Sequence, residues 1–595
     1  MMLLGSRSSI LIWLTASATL AADAAIQHQE PAYAYDDHYQ PTPAVQYYDP
    51  YVPRPTPIVD EEIAPVAYYP SRVHERLPDA HQLTPSEKQR YIKDAFLFAW
   101  DGYRTFSWGS DENRPVTNRP VNTRNGWGAS LVDGLDTLYL MELYGEFNEA
   151  RDYVANIDWD ETHGSSLVQV FETTIRYVGG LLSAYDLSGD EIFVEKTVQL
   201  VDRLLPAFDT PTGIPYQYVN FRSGKAVKSG FPDGASCLAE LGTVQLEFTR
   251  LSEITGDWTY HHVGQRVYQS FIQLKTDQPG LFPHLINPDT GDAVGDYITW
   301  GGMADSFYEY LIKQYVMSGG KDAAKKEMVI QAVRSLEKYL IARPKDHPEL
   351  ALLADLNGEA QTPKMDELAC FAPGNLLLAA RTIPELADTE DLAFDLMHGC
   401  YNAWVSTKTG IAPEVFGYMD EGGNTVVGNL TGRRKHLAKE HGVFPVAASY
   451  ILRPETLESI FYFYRFTKDR RYQDMAWDIF NSIHTYCRAN SGFSGISNVD
   501  TYYPSWDDRQ ESFFFAETLK YLYLMFDEPW EEERLSLQKW VLNTEAHPFK
   551  ITDIVPPPPP PYERKHVSWI DNVIAFLAQW MKLIFIPYLD LFYEY

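Results

Sequence analysis

Three short segments end one helical pattern and begin another with the same chemistry, and this constrains the fold more than any other feature of the chain. Leu187-Ser-Gly-Asp190 leads to Phe193, Ile254-Thr-Gly-Asp257 to Tyr260, and Phe466-Thr-Lys-Asp469 to Tyr472. In each, Gly or Lys closes a helix and Asp caps the next one. Each follows an acid-bearing helix, with Glu172, Glu240 or Glu247, and Glu455 respectively. From about residue 83 to about residue 549 the apolar spacing is helical almost throughout, and strand-like alternation is scarce. Within 171–186, Phe171, Ile175, Val178, Leu182 and Tyr185 recur at helical spacing. Repeated helical hairpins either stack into a solenoid or close into a toroid. A toroid would set one group of helix ends around a single mouth and gather acids from distant parts of the chain. The expected fold is therefore all-α.

Six blocks hold an acid in a specific context. They are Phe171-Glu172-Thr-Thr-Ile-Arg176, Gly301-Gly-Met-Ala-Asp305-Ser-Phe, Met365-Asp366-Glu367-Leu-Ala-Cys370-Phe, Arg453-Pro-Glu455-Thr-Leu-Glu458-Ser, Glu511-Ser-Phe-Phe-Phe and Asn543-Thr544-Glu545-Ala-His547-Pro. Taken singly, several have ordinary structural explanations. Glu172 and Arg176 have the spacing of a surface ion pair, worth about 0.2–0.5 kcal/mol. Asp305, after two glycines, can cap a helix starting at Ser306. Glu455 follows Pro454 in a first turn, where an acid suits the helix dipole. Thr544 can close an ST-turn.

The set is harder to explain than its members. Carboxyls pressed against aromatics are desolvated, which raises their pKa toward that of a general acid. Glycosidic hydrolysis needs one protonated carboxyl to assist the leaving oxygen and one carboxylate to activate water or attack. Thr544 also offers a hydroxyl and a carbonyl oxygen to a hard cation such as Ca²⁺, which takes about six to eight oxygens, some from water.

Other chemistries find less support. There is no EF-hand loop, zinc spacing, phosphate loop, nucleophile elbow or dinucleotide fingerprint. The adjacent His261-His262 reads as surface, not ligand. A net charge of −31 argues against nucleic acid as a partner. Residues 1–25 carry Arg7, an apolar run and small residues, and read as a secretory signal peptide, with an uncleaved signal-anchor as the alternative. Residues 26–82 are a Tyr/Pro-rich linker and 83–549 the main domain. Residues 550–566, with a six-proline run, are a spacer. The apolar segment 567–595 is either an interfacial helix that associates with membrane or a helix that packs back on the body. Four cysteines permit one or two bridges. Asn429-Leu-Thr431 is a glycosylation acceptor.

Together the acid blocks resemble glycoside hydrolase family 47, the class I α-1,2-mannosidases of the secretory pathway. Ala99-Trp-Asp-Gly-Tyr-Arg104, Gly126-Trp-Gly-Ala-Ser-Leu-Val-Asp-Gly-Leu-Asp-Thr137, Phe208-Asp-Thr-Pro-Thr-Gly-Ile-Pro-Tyr216, Leu285-Ile-Asn-Pro-Asp-Thr290 and Glu517-Thr-Leu-Lys-Tyr521 match as well, in family order. The resemblance implies an (α/α)7 barrel that removes terminal α-1,2-linked mannose from high-mannose N-glycans of glycoproteins, inverting the anomeric centre.

It implies Glu172 as acid, Glu455 as the usual base candidate and Asp305 as a further catalytic carboxylate; which of Asp305 and Glu455 is the base stays open. It implies Thr544 as the ligand of a Ca²⁺ that holds two hydroxyls of the reacting mannose. Arg176, Arg453, Asp366, Glu458, Glu511 and Glu545 are implied to line the substrate site or orient waters. A Cys370–Cys400 disulfide is implied, with Cys237 and Cys487 free, and residence in the endoplasmic reticulum, in the Golgi or outside the cell.

One position departs from the pattern. Glu367 stands where the family commonly has histidine, and a carboxyl there is expected to weaken glycan contacts, alter branch preference or shift its neighbours' pKa values. The alternatives are a quality-control relative that binds or slowly trims misfolded glycoproteins, and a glycan-binding protein without turnover.

Overall fold

All three Gly/Lys–Asp segments are turns between antiparallel helices in the computed structural model, which describes residues 68–271, 274, 276–527 and 533–557. Gly189, Gly256 and Lys468 are left-handed, with φ of 75°, 76° and 59°. The aspartate that follows each accepts the N–H two residues on, from Ile192 (3.1 Å), Thr259 (2.9 Å) and Arg471 (2.9 Å). One residue thus ends a helix and the next satisfies an orphan donor of its partner.

The inner layer comprises α2 (Leu135–Leu140), α4 (Gly179–Ser188), α6 (Gln245–Thr255), α8 (Asp305–Met317), α10 (Ala372–Thr382), α12 (Glu455–Thr467) and α14 (Leu519–Leu524). Each packs on the next, and the π-helical turn Phe514–Thr518 ahead of α14 packs on α2 and closes the ring. The outer layer comprises α1 (Pro85–Phe106), α3 (Tyr144–Ala155), α5 (Glu191–Leu204), α7 (Thr259–Phe271), α9 (Ala323–Tyr339), α11 (Glu390–Val405) and α13 (Arg470–Cys487). Helix α1 packs on α14, and every other outer helix packs on the inner helix before it. Of the two alternatives left open by the sequence, the closed toroid is the one found: seven helical hairpins in an (α/α)7 barrel.

The two layers differ as their sequences require. Residues Thr456–Arg465 of α12 are all buried, whereas α13 buries Tyr472, Met475, Ala476, Ile479, Phe480 and Ile483 and exposes Asp474 and Asp478. A helix that is buried all round belongs inside, and one with a single apolar stripe belongs outside. Cys370, in the turn ahead of α10, is bonded to Cys400 on α11, and Cys237 and Cys487 are free and buried.

Links from an inner helix to its outer partner are short. The reverse links are long and carry the small antiparallel sheets, such as Leu167–Gln169 with Tyr218–Asn220, and Lys364–Asp366 with Val415–Tyr418. A last hairpin, Trp540–Leu542 with Pro548–Lys550, packs on α4 and α8. Its turn, Asn543 to His547, is held on all sides. Asn543 Nδ2 donates to the Ile175 carbonyl (3.0 Å) and to Glu247 (2.8 Å). His547 contacts Asp136 (2.7 Å) and Asp133 (3.3 Å), and Lys520 donates to Asp136 (2.9 Å) and to the Ala546 carbonyl (2.7 Å). Helix α4 approaches so closely that a Cβ on Gly179 would stand 2.6 Å from Asn543 Nδ2.

Residues 68–82, expected as linker, are docked instead. Tyr69–Pro70 pairs with Ser505–Trp506, and Trp477 on α13 donates to the Pro78 carbonyl (2.9 Å). Burying Trp477 needs a partner for its indole N–H, and the linker supplies one. The leader at 1–25 and the apolar segment 567–595 lie outside the described residues. Among the described residues no helix is long and apolar enough to cross a membrane.

His547→Ala leaves Asp133 and Asp136 buried without their imidazole partner. The expected loss is about 3 kcal/mol or more in denaturant unfolding; a loss under about 1 kcal/mol would contradict the pinning role given to this turn.

Candidate active site

The inner helices begin at one mouth, where a cavity of about 550 Å³ opens. Glu172, Arg176, Asp305, Arg453, Glu455, Glu458, Thr544 and Glu545 all line it, although the first and last are more than 370 positions apart. Asp305 and Glu455 are the first residues of α8 and α12, at the positive ends of their helix dipoles. The loops just before them hold Met303 and Leu452 in left-handed backbone (φ 76° and 71°), strain of a kind that gathers at functional sites.

Two expected residues stand off the lining. Asp366 is paired with Lys364 (3.3 Å) and abuts the Gly301-Gly302 turn, while Glu511 stands beside Glu112, where burial first and then the Glu511 charge raise Glu112 to about 8. Asn429 is exposed on a loop. His261 is not on the surface as expected: it is buried on α7 with its Nδ1 against the Thr249 hydroxyl (2.9 Å). The amphipathic face of α7 turns it inward. A second cavity of about 600 Å³, lined by Trp159, Lys196 and Arg203 among others, holds none of the expected residues.

Glu172 and Arg176 do not form a surface pair. They stand on a stretch in which Thr173–Val178 opens into a π-helical turn, a feature that recurs at functional sites. Arg176 Nε donates to Glu172 at 2.7 Å and Arg124 Nε donates at 3.3 Å. Arg176 also reaches Glu545 (2.9 Å) and the Ser512 hydroxyl (3.2 Å). Burial alone would push Glu172 up, but the two arginines outweigh it and hold the carboxyl at about 2. The expectation of a raised Glu172 is therefore corrected: its side chain is largely but not wholly withdrawn from solvent, and the arginines keep it ionised.

Raised pKa values fall on its neighbours. Burial pushes Asp305 up to about 7, assisted by Glu309 and Glu455 and opposed by the Ser306 N–H that it caps (2.7 Å). Burial raises Glu458 to about 8 despite Lys313 at 3.1 Å, and raises Glu545 to about 8 despite Arg176. Glu517, on the second π-helical turn, is pushed well above its usual range by burial and by Glu545, Glu455 and Glu458.

Sequence reasoning had not placed Arg124, Glu240, Glu309 or Glu517 in the site. Glu309 and Lys313 follow Asp305 at successive helical turns, and Ala516-Glu517-Thr echoes Phe171-Glu172-Thr, so both carried a faint signal.

The lining holds eight carboxyls against three guanidinium groups. Such an excess in a buried site must be met by protons or by a cation. Among the described residues no three His, Cys, Asp or Glu side chains form a metal cage. A hard cation here would take protein oxygen from Thr544 and fill its shell with water and substrate hydroxyls. The donor set is all oxygen, and beside Thr544 the buried Glu545 Oε2 has no hydrogen-bond partner among the described residues. The residues present therefore fit Ca²⁺.

A helical toroid with an acid-lined mouth has the parts that a carboxylate glycosidase needs. Comparison with known proteins agrees: the chain belongs to glycosyl hydrolase family 47, whose profile matches residues 95–551. It is 42% identical over 476 residues to mannosyl-oligosaccharide 1,2-alpha-mannosidase MNS1 of Arabidopsis thaliana, covering 78% of this chain and 80% of the relative. It is 39% identical over 474 residues to the human mannosyl-oligosaccharide 1,2-alpha-mannosidase IB, covering 78% and 70%. The solved alpha-1,2-mannosidase from Trichoderma reesei superposes with a TM-score of 0.74 at 34% identity, covering 79% of this chain and 99% of that one.

These shifts set a stability profile. Asp305, Glu247, Glu458 and Glu545 bind protons more tightly when folded, with values raised to about 7 or 8. The stability they contribute is complete below their unfolded values near 4 and is lost as pH rises through 7–8. Glu172 and Asp136, held near 2, contribute stability that is lost only as pH falls below about 4. Chelator-treated protein should therefore melt at steadily lower temperature from about pH 5 to about pH 8. A flat or rising melting curve over that range would contradict the shifts.

Proposed function

We propose that this protein hydrolyses terminal α-1,2-linked mannose from high-mannose N-glycans of glycoproteins in the secretory pathway, inverting the anomeric centre and depending on Ca²⁺. One observation carries the reading: Glu172, Asp305, Glu455 and Thr544, spread over most of the chain, line one sugar-sized cavity. The names of the relatives supply the mannose linkage.

In this reading Glu455 takes the proton of the attacking water, since it heads α12 at the cavity and its side chain is partly exposed there. Asp305, at the head of α8 and raised to about 7 by burial, protonates the departing sugar oxygen. Glu172, ionised between Arg124 and Arg176, can pass a proton only through a water that the three groups orient. Arg453, tied to Glu414 (2.7 Å), and Arg176 fix the sugar hydroxyls. Thr544 would hold Ca²⁺, with Glu458, Glu517 and Glu545 orienting its waters. When bound there, the ion would supply chelation of vicinal hydroxyls, which would favour a distorted ring. The Cys370–Cys400 bridge suits an oxidising compartment.

Purified protein should release mannose from a Man9 glycan, and chelation should abolish release. Glycan binding without release would favour a lectin-like or quality-control role instead. Glu172→Gln and Glu455→Gln should each remove most turnover with the fold intact, and near-native activity in either would remove that residue from the chemistry.

The proton assignment has its own test. Asp305→Asn should lower kcat by about 100- to 10,000-fold and abolish the decline of kcat above about pH 7. If that decline persists in Asp305→Asn, the acid is another group. Thr544→Ala should lose most of the Ca²⁺-induced rise in melting temperature, and an unchanged rise would move the ion elsewhere.

A further inference from the structure

Glu367 is wholly buried at the start of the short helical turn Glu367–Phe371, just ahead of α10. Its Oε1 accepts from the Thr456 N–H (3.3 Å) and the Thr456 hydroxyl (2.7 Å), in the first turn of α12. Glu455 precedes Thr456 in that turn, which sets its carboxyl beside Glu367, and after burial it is the group that bears most on Glu367. Among the described residues, Glu367 Oε2 and Glu455 Oε2 are both buried and have no hydrogen-bond partner. If both groups were ionised, each oxygen could only accept, so neither could satisfy the other. One proton between them resolves both.

The surroundings decide which carboxyl keeps that proton. Glu455 lines the open cavity, heads a helix and has Arg453 Nη1 at 3.5 Å. Among the described residues no cation stands within ion-pair reach of Glu367, and it has no exposure. Arg453, the nearest guanidinium, is divided between Glu414 and Glu455. The other groups that bear on the pair are acidic or phenolic: Tyr450 toward Glu367, and Glu414, Asp305, Glu458 and Glu517 toward Glu455.

We propose that Glu367 is a neutral carboxylic acid that donates its proton as a hydrogen bond to Glu455, and so acts as the positioning residue that holds the water-activating carboxylate ionised and aimed. Burial and the Glu455 charge both push the Glu367 pKa well above the usual range, in the same direction. The inference rests on Glu455 being the base, so the test separates the two ideas.

The test is the pH profile of kcat/KM for mannose release from a Man9 glycan, measured on the full chain with excess Ca²⁺. Glu455→Gln is the control for the base reading, and near-native turnover in it would sink that reading whatever Glu367 does. The acidic limb of the wild-type profile reports protonation of the essential base. Glu367→Gln keeps the shape and a donor, so the acidic limb should stay in place. Glu367→Leu removes the donor, so the limb should move up by about one pH unit or more.

Two outcomes overturn the proposal. If Glu367→Gln moves the limb down by about one unit or more, the native group carried a negative charge that the amide relieved. If the limb stays put in Glu367→Leu, no hydrogen bond from this position was holding Glu455 ionised. The near-isosteric Gln variant keeps the proposal testable should the Leu variant fail to fold. An independent readout is the infrared difference spectrum at neutral pH. It should show a neutral carboxylic acid band that is present in wild type and missing from Glu367→Gln, and no such difference would also overturn the proposal.

Discussion

The turn from Asn543 to His547 is the interaction on which the site depends. A ring of helices has a hollow axis, and here a hairpin fills it. Its polar atoms are met by Asp133 and Asp136 beside and on α2, by Ile175, by Glu247 on α6, by Lys313 on α8 and by Lys520 on α14. Because these partners come from so many staves, the turn and the ring fix one another. The same turn presents Thr544 and Glu545 to the cavity. The cation ligand of the proposed function is therefore aimed by the contacts that close the barrel.

Above that turn the cavity concentrates negative charge, and the structure handles the excess in two ways. Where a guanidinium is near, as at Glu172, the carboxyl stays ionised even when buried. Where fewer cations face the carboxyl, burial and like charges win and the pKa rises, as at Asp305, Glu517 and Glu367, and at Glu545 despite Arg176. Carboxyls of one chemical type are thus sorted into carboxylates and acids by their neighbours, which is the division a glycosidase needs. Glu367 fits the same pattern in this chain, as a carboxyl whose proton makes it a donor to a neighbour.

The sequence was legible where the physics is local. The Gly/Lys–Asp turns were read correctly because a left-handed residue and a capping aspartate adjoin in sequence and act over two or three residues. The acid blocks were visible because Asp305, Glu455 and Glu458 sit in first turns of helices, whose start signals are compact. The same compactness misled at Glu172. Its i, i+4 arginine looked like a surface pair, and only a π-helical turn and Arg124, 48 positions away, turn it into a buried clamp. Residues 68–82 looked like a free linker because their partners, Trp477, Asn481 and Trp506, lie far along the chain.

By itself, the sequence determined an all-helical chain of hairpins, the family and the identity of most side chains that meet at the mouth, because periodicity, caps and motif blocks are properties of neighbouring residues. Only the tertiary structure decided that the ring closes, that Asp366 and Glu511 stand off the cavity while Glu309 and Glu517 line it, and which carboxyls keep their protons. Those outcomes depend on burial and on charges brought within a few ångströms by folding, and no spacing along the chain encodes either.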